Sequence, residues 1–114
     1  MYETLIFGGG GVRCFSYVGA LAAIHIRNPD FMKSVTRCYG ASAGSIMATM
    51  VAIRASIDTM VKMSVSLDPS TLVDVNIIGF LSNWGINTNK PLREWLSAYI
   101  PYDLTFKNIW LRFG

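Results

Sequence analysis

The stretch Gly40-Ala41-Ser42-Ala43-Gly44 has the pattern G-x-S-x-G and joins a strand-like run, residues 35–39, to a run of small residues, 44–53. A serine on such a strand-to-helix turn exposes its hydroxyl, and the N-terminus of the following helix can stabilise developing negative charge. Both glycines are needed, because side chains at their positions would collide with neighbouring backbone on so tight a turn. The pattern predicts that Ser42 is an acyl-transfer nucleophile on an elbow formed with Gly40 and Gly44. The alternative is a tight turn that contains a serine without chemical use.

A second glycine cluster strengthens the first interpretation. Gly8-Gly9-Gly10-Gly11 follows a strand-like run, residues 4–7, and precedes a helix-like run, 16–26. Consecutive glycines can turn their N–H groups toward one point and form an anion-binding concavity. Loops after parallel strands lie at the same sheet edge, so these donors and Ser42 should meet there. We therefore expect the backbone N–H groups of Gly9, Gly10, Gly11 and Ala43 to form an oxyanion hole.

Phosphate binding is the alternative for the glycine loop. A G-x-G-x-x-G dinucleotide fingerprint needs a third glycine, and that position falls on Arg13 or Cys14, depending on the register. Asp30 has a plausible spacing for a ribose contact, but it lies in a turn rather than at the end of a second strand. A P-loop is excluded because no G-K-[ST] follows. Cys14 is expected to be a small packing residue, since no histidine is close in sequence.

The two glycine motifs together resemble a known family. Gly9-Gly10-Gly11-Val12-Arg13, followed by Gly40–Ser45, is similar to the start of a patatin-like phospholipase domain, and residues 85–100 and 104–114 resemble its following helical stretch. The resemblance implies a lipid acyl hydrolase (phospholipase, lysophospholipase or acylglycerol lipase) that uses a Ser–Asp dyad and needs no metal or cofactor. The family usually has glycine after the basic residue, where this chain has Cys14. Arg13 positions the loop or a substrate phosphate, or else faces solvent.

The catalytic base is the part of the family pattern that these residues lack. The family's aspartate belongs to a D-G-[GA] motif, and no aspartate of this chain is followed by glycine. We expect residues 1–114 to be the N-terminal part of a patatin-like phospholipase domain, with the catalytic-aspartate segment missing. The single histidine, His25, precedes the serine, whereas an α/β-hydrolase triad runs Ser, acid, His. His25 also falls near the far end of the first predicted helix, so a structural role is expected.

Hydrophobic patterning predicts the fold class. A strand at 4–7, a helix at 15–26, a strand at 35–39 and a helix at 45–54 form a right-handed βαβ unit with parallel strands. The pattern therefore predicts the α/β class, and the family resemblance implies a three-layer α/β/α domain of the patatin type, here incomplete. The remaining signals are a helix over 57–66 capped by Ser56, a helix start at Asp68-Pro69, turns at 83–85 and 87–89, an amphipathic helix over 91–100, and a last helix capped by Thr105.

Composition limits the possible partners and compartments. The chain is 52% hydrophobic and 15% charged, which suits either a core that further chain would cover or work at a lipid surface. The net charge of +3 comes from scattered basic residues, which argues against nucleic-acid binding. No metal cluster, disulfide framework, secretory signal or transmembrane run is visible. We expect an intracellular protein, cytoplasmic or peripherally membrane-associated, whose partner is a lipid ester; the sequence does not indicate its oligomeric state.

Two other functions stay open at this point. An acyltransferase would use the same nucleophile and oxyanion hole, with an alcohol or thiol in place of water as the acyl acceptor. A catalytically inactive fragment or a lipid-binding protein would keep the fold without the reaction. The methionines at helical spacing, among them Met47, Met50, Met60 and Met63, are expected to fill the core rather than to bind lipid.

Overall fold

A computed structural model describes residues 3–67, 90–101 and 103–113 of the chain. We number only the elements within these residues. In chain order they are β1 (Thr4–Phe7), a 3-10 helix (Gly11–Phe15), α1 (Ser16–Arg27), α2 (Phe31–Ser34), β2 (Arg37–Gly40), α3 (Gly44–Ala52), α4 (Ile57–Ser66), α5 (Lys90–Ser97) and α6 (Phe106–Phe113). The helix start expected at Asp68-Pro69 and the turns expected at 83–85 and 87–89 lie outside the described residues.

The two strands pair in parallel, as the order of elements predicts. Thr4 is opposite Arg37 and Phe7 is opposite Gly40, so the carboxyl ends of both strands stop at the same level. Parallel pairing requires a crossover, and α1 with α2 supplies it. The consequence for function is positional: the glycine loop after β1 and the G-x-S-x-G turn after β2 leave the sheet side by side. The α/β class and the parallel βαβ core are confirmed.

The core lies where α3 packs on the strands and where α1 meets α4. On β1 the inward Phe7 is buried, whereas its neighbour Ile6 is 75% exposed, which is the alternation of a strand with one covered face. The predicted filling role of the methionines is confirmed, since four of them are at most 1% exposed and belong to one hydrophobic cluster: Met47, Met50, Met60 and Met63. Unbranched thioether chains suit this position because they adapt to irregular gaps between helices.

Helix α3 ends two residues earlier than the sequence suggests. The expected span was 45–54, but Arg54 adopts a left-handed conformation with φ of 59°. Two hydrogen bonds, each 3.0 Å long, follow the helix: the Arg54 N–H donates to the Val51 carbonyl, and the Ala55 N–H donates to the Met50 carbonyl. This is the Schellman arrangement, which closes a helix C-terminus. Glycine is usual at this position. Arginine is used here because its guanidinium donates to the carbonyls of Met32 (2.6 Å) and Val35 (3.0 Å), tying α3 to the segment before β2.

The other boundaries differ from expectation by small amounts. Strand β2 begins at Arg37 rather than at residue 35, because the Val35 N–H still bonds to α2 through the Met32 carbonyl. Helix α1 starts at Ser16, after a 3-10 turn, and α5 spans Lys90–Ser97 rather than 91–100. The short helix α2 was not predicted.

The predicted caps are confirmed. Ser56 accepts a hydrogen bond from the Thr59 N–H (3.1 Å), and Thr105 and Asn108 cap the start of α6 reciprocally.

Candidate active site at the strand-to-helix turn

The backbone at Ser42 has the strained conformation of an exposed turn serine. Its φ is 52°, in a region that non-glycine residues rarely occupy, and its side chain is exposed to solvent. The turn is fixed on both sides: the Ala41 N–H donates to the Phe7 carbonyl (3.0 Å), and the Gly44 N–H donates to the Ala41 carbonyl (2.9 Å). Strain of this kind costs about 1–3 kcal/mol and clusters at functional sites. The exposed hydroxyl at the head of α3 therefore has the placement that nucleophilic chemistry requires.

The two flanking glycines leave no room for a side chain. A Cβ at Gly40 would lie 2.5 Å from the Gly44 carbonyl oxygen, and a Cβ at Gly44 would lie 2.3 Å from the Phe7 carbonyl oxygen. All of these neighbours are backbone atoms, which cannot rotate away. The steric requirement expected for both positions is confirmed, and it brings the first turn of α3 directly against the end of β1.

The glycine loop lies next to the serine. A Cβ added at Gly9 would be 3.3 Å from the Cβ of Ser42 and 3.4 Å from the Ala41 carbonyl oxygen, so the Gly9 backbone is adjacent to the elbow. Gly11 has a φ of 57°, which lets the chain turn sharply into the 3-10 helix. Among the described residues, the backbone N–H groups of Gly9, Gly10 and Ala43 have no hydrogen-bond acceptor. These N–H groups are therefore available to bind an anion next to Ser42.

Two titratable residues in the loop region contribute little reactivity of their own. Arg13 is exposed, and its N–H donates to the Gly10 carbonyl (3.1 Å), so its backbone closes the loop while its side chain is in solvent. Cys14 is 3% exposed, and burial raises the pKa of its thiol. A buried thiol with a raised pKa is protonated at neutral pH, which agrees with a packing role. Cys14 and Cys38 are both free cysteines.

His25 is placed away from the elbow, as expected. It is exposed and lies in the last turn of α1. The helix begins just after the glycine loop, so nine residues at 1.5 Å each put His25 roughly 14 Å along the axis from the loop end. This position favours a structural role over that of a general base for Ser42.

Two side chains make tertiary contacts that sequence patterns did not reveal, one beside the glycine loop and one at the far end of α3. The Tyr17 hydroxyl donates to the Gly8 carbonyl over a distance of 3.2 Å. Arg54 braces the far end of α3 through the two carbonyl contacts described above. A cavity of about 610 Å³ lies beside α3 and is bounded by Val35, Cys38, Arg54, Ile100 and residues of α6. Its lining does not include Ser42, so it is not part of the elbow.

Searches for metal ligands and membrane spans within the described ranges give two further findings. Residues 3–67 and the described parts of 90–113 contain no group of three or more His, Cys, Asp or Glu side chains that could hold a metal ion. No helix in those ranges has both the length and the hydrophobicity needed to cross a bilayer.

Comparison with known proteins gives one family and one relative. The family model described as "Patatin-like phospholipase" matches residues 5–114. An uncharacterized protein of Acanthamoeba polyphaga mimivirus is 36% identical over 84 residues, which are 72% of this chain and 27% of the viral protein. The chain thus spans about a quarter of that relative's length. No solved structure matches.

Proposed function

Since the chain belongs to the patatin-like phospholipase family, a family of lipid hydrolases, we propose that it supplies the nucleophile and the oxyanion hole of a lipid acyl hydrolase. One observation carries the proposal: the exposed Ser42 has a strained φ of 52° at the head of α3, and the segments beside it contain the N–H groups of Gly9, Gly10 and Ala43, which have no acceptor among the described residues. A nucleophile and donors for developing negative charge are the two parts that ester cleavage needs first.

In the proposed reaction the Ser42 hydroxyl oxygen attacks the carbonyl carbon of a lipid ester. The carbonyl oxygen becomes an oxyanion, held by N–H groups of Gly9 to Gly11 and of Ala43. A general base takes the serine proton and passes it to the leaving alcohol as the ester bond breaks, which leaves an acyl-serine. Water, deprotonated by the same base, then cleaves the acyl-serine and returns the proton to Ser42.

The proposed base is an aspartate in a D-G-[GA] segment, which residues 1–114 do not contain. The matched relative is nearly three times as long as this chain, so there is room in proteins of this kind for such a segment. We therefore propose that hydrolysis needs a longer chain, which includes the coding sequence after residue 114. We likewise propose that residues 1–114 are the N-terminal part of the catalytic unit.

Labelling with a fluorophosphonate tests the nucleophile and the base separately. We expect strong labelling at Ser42 in the longer chain, weak or absent labelling in 1–114, and none after Ser42→Ala. Hydrolysis of a phospholipid or acylglycerol by the longer chain should fall at least about a thousandfold in Ser42→Ala, since removal of a serine nucleophile can lower kcat by about a millionfold. Ser97→Ala, an exposed serine on α5, is the matched control and should leave both readouts unchanged.

Each contrary outcome has a distinct meaning. Full activity in Ser42→Ala would refute the assignment of the nucleophile. A longer chain that is neither labelled nor active would favour a lipid-binding protein. If acyl product appears on an added alcohol or thiol and not as free fatty acid, the reaction is acyl transfer instead.

A further inference from the structure

Tyr17 connects α1 to the first carbonyl of the glycine loop. Its hydroxyl donates to the Gly8 carbonyl oxygen over 3.2 Å, across nine residues of chain. Its ring stands edge-on to the ring of Phe7, with centroids 5.2 Å apart and an interplanar angle of 79°. Edge-to-face aromatic pairs have a preferred geometry, so Phe7, buried at the end of β1, holds the tyrosine ring in place. The hydroxyl is therefore presented to Gly8 from a fixed position.

The carbonyl that Tyr17 binds belongs to a crowded peptide between loop and elbow. The Gly8 carbonyl oxygen is 2.6 Å from where a Cβ of Gly44 would lie, so the first residue of α3 packs against it from the other side. The peptide that contains this carbonyl also contains the N–H of Gly9. A trans peptide is planar, with its C=O and N–H groups pointing in opposite directions, and none of the described peptides is cis. A contact that fixes the Gly8 carbonyl therefore fixes the direction of the Gly9 N–H.

External anchoring matters here because the loop has little rigidity of its own. Four consecutive glycines have wide conformational freedom, and an oxyanion donor is effective only when it is held in place before the reaction. The Gly9 N–H has no acceptor among the described residues, and the Gly9 backbone is adjacent to Ser42. Within that part of the chain, side-chain anchoring of the loop backbone comes from Tyr17.

We propose that Tyr17 is a positioning residue for the oxyanion hole: its hydrogen bond to the Gly8 carbonyl sets the direction of the Gly9 N–H that receives the oxyanion beside Ser42. The proposal rests on the function proposed above. It deepens that function by assigning a role to a residue that touches neither substrate nor nucleophile. The tyrosine ring alone would fill the same space, so the positioning role belongs to the hydroxyl.

The test is Tyr17→Phe, which removes the hydroxyl and keeps the ring and its contact with Phe7. Loss of one oxyanion donor lowers kcat about 100- to 1000-fold, so a misdirected donor should lower kcat roughly 10- to 100-fold. We expect KM to change less than about twofold, because the ester ground state does not depend on this donor. A trifluoromethyl ketone lipid analogue, which adds to Ser42 and forms an oxyanion, should lose affinity by the same factor as kcat/KM.

Tyr99→Phe is the matched control. The Tyr99 hydroxyl also makes tertiary hydrogen bonds, to Ser66 (2.7 Å) and to the Lys62 carbonyl (3.5 Å), but it connects the turn after α5 to α4 and does not reach the glycine loop. We expect this variant to lose stability and to keep kcat. The assay uses whichever chain, 1–114 or the longer one, the fluorophosphonate labels, and thermal unfolding of both variants is recorded alongside.

Three results would overturn the positioning role while leaving the proposed function intact: kcat within twofold of wild type in Tyr17→Phe, a rise in KM at constant kcat, or an equal fall in kcat in both variants. Failure of the proposed function is visible without any tyrosine variant, because the wild-type protein would then show neither labelling nor hydrolysis. In that case no oxyanion forms at Ser42 and the role assigned to Tyr17 falls with it.

Discussion

Replacing Gly44 with alanine tests the contact on which the whole site depends. The added Cβ would lie 2.3 Å from the Phe7 carbonyl oxygen, whereas real Cβ contacts are essentially never below 3.0 Å, so β1 and α3 must separate by about 0.7 Å. Overpacking of this kind costs about 1–3 kcal/mol, and the upper end applies because the neighbours are backbone. Alanine recovers up to about 1 kcal/mol through its helix propensity. We therefore expect a net loss of about 2 kcal/mol in the free energy of unfolding.

Urea unfolding followed by far-UV circular dichroism measures this loss, and in a thermal melt it corresponds to a fall in Tm of roughly 8 °C. Gly19→Ala is the matched control: it is also a helical glycine, but a Cβ there meets no atom of the described residues within 4 Å. We expect it to stabilise the chain by about 0.5–1 kcal/mol, so the two substitutions should have opposite signs. Equal stabilisation by both would refute the close approach of α3 to β1 and the geometry of the elbow.

Two further predictions concern the bracing of α3 and the buried thiol. Arg54→Ala loses both carbonyl contacts and keeps the left-handed strain, so it should lower the free energy of unfolding by about 2 kcal/mol. Arg54→Gly loses the same contacts but relieves the strain, so in urea unfolding it should be about 1 kcal/mol more stable than Arg54→Ala. The reverse order of stability would contradict the Schellman assignment. Burial raises the pKa of Cys14 in the folded state, so the contribution of this thiol to stability is complete below the ordinary cysteine pKa of about 8.5 and is lost as the pH rises through the raised value. Above that pH the free energy of unfolding of wild type should therefore fall relative to that of Cys14→Ala. A difference between the two proteins that does not change with pH would contradict a raised pKa of Cys14.

Much of the candidate site could be predicted because it is local in sequence. The elbow needs five consecutive residues between a strand and a helix, and steric rules alone explain why Gly40 and Gly44 have no side chain. Parallel pairing of β1 and β2 follows from the order of elements, and it places both loops at one sheet edge. The caps at Ser56 and Thr105 are equally local, since each cap bonds to a backbone group within the next turn.

The two boundary errors have different causes, one tertiary and one local. The end of α3 was placed too late because nothing near Arg54 in sequence marks a helix stop; glycine is the usual signal, and here the αL residue is an arginine whose side chain reaches the segment before β2. The start of β2 was placed too early because Val35 is buried and extended but still bonds to α2. The partners of Arg54 lie on a segment that a single-sequence pattern does not bring next to the end of α3, whereas the bond at Val35 closes α2, a short helix that was not predicted.

The sequence by itself determined the nucleophile motif, the glycine loop and the α/β order that brings them to one edge, because each of these depends on residue type and short spacing. Only the tertiary structure decided that Gly9 lies against Ser42, that the first turn of α3 presses on the end of β1, and that Tyr17 holds the Gly8 carbonyl. The physical reason is distance along the chain. Contacts between segments that are far apart in sequence depend on how helices and strands pack, and packing is set by the whole core rather than by any one motif.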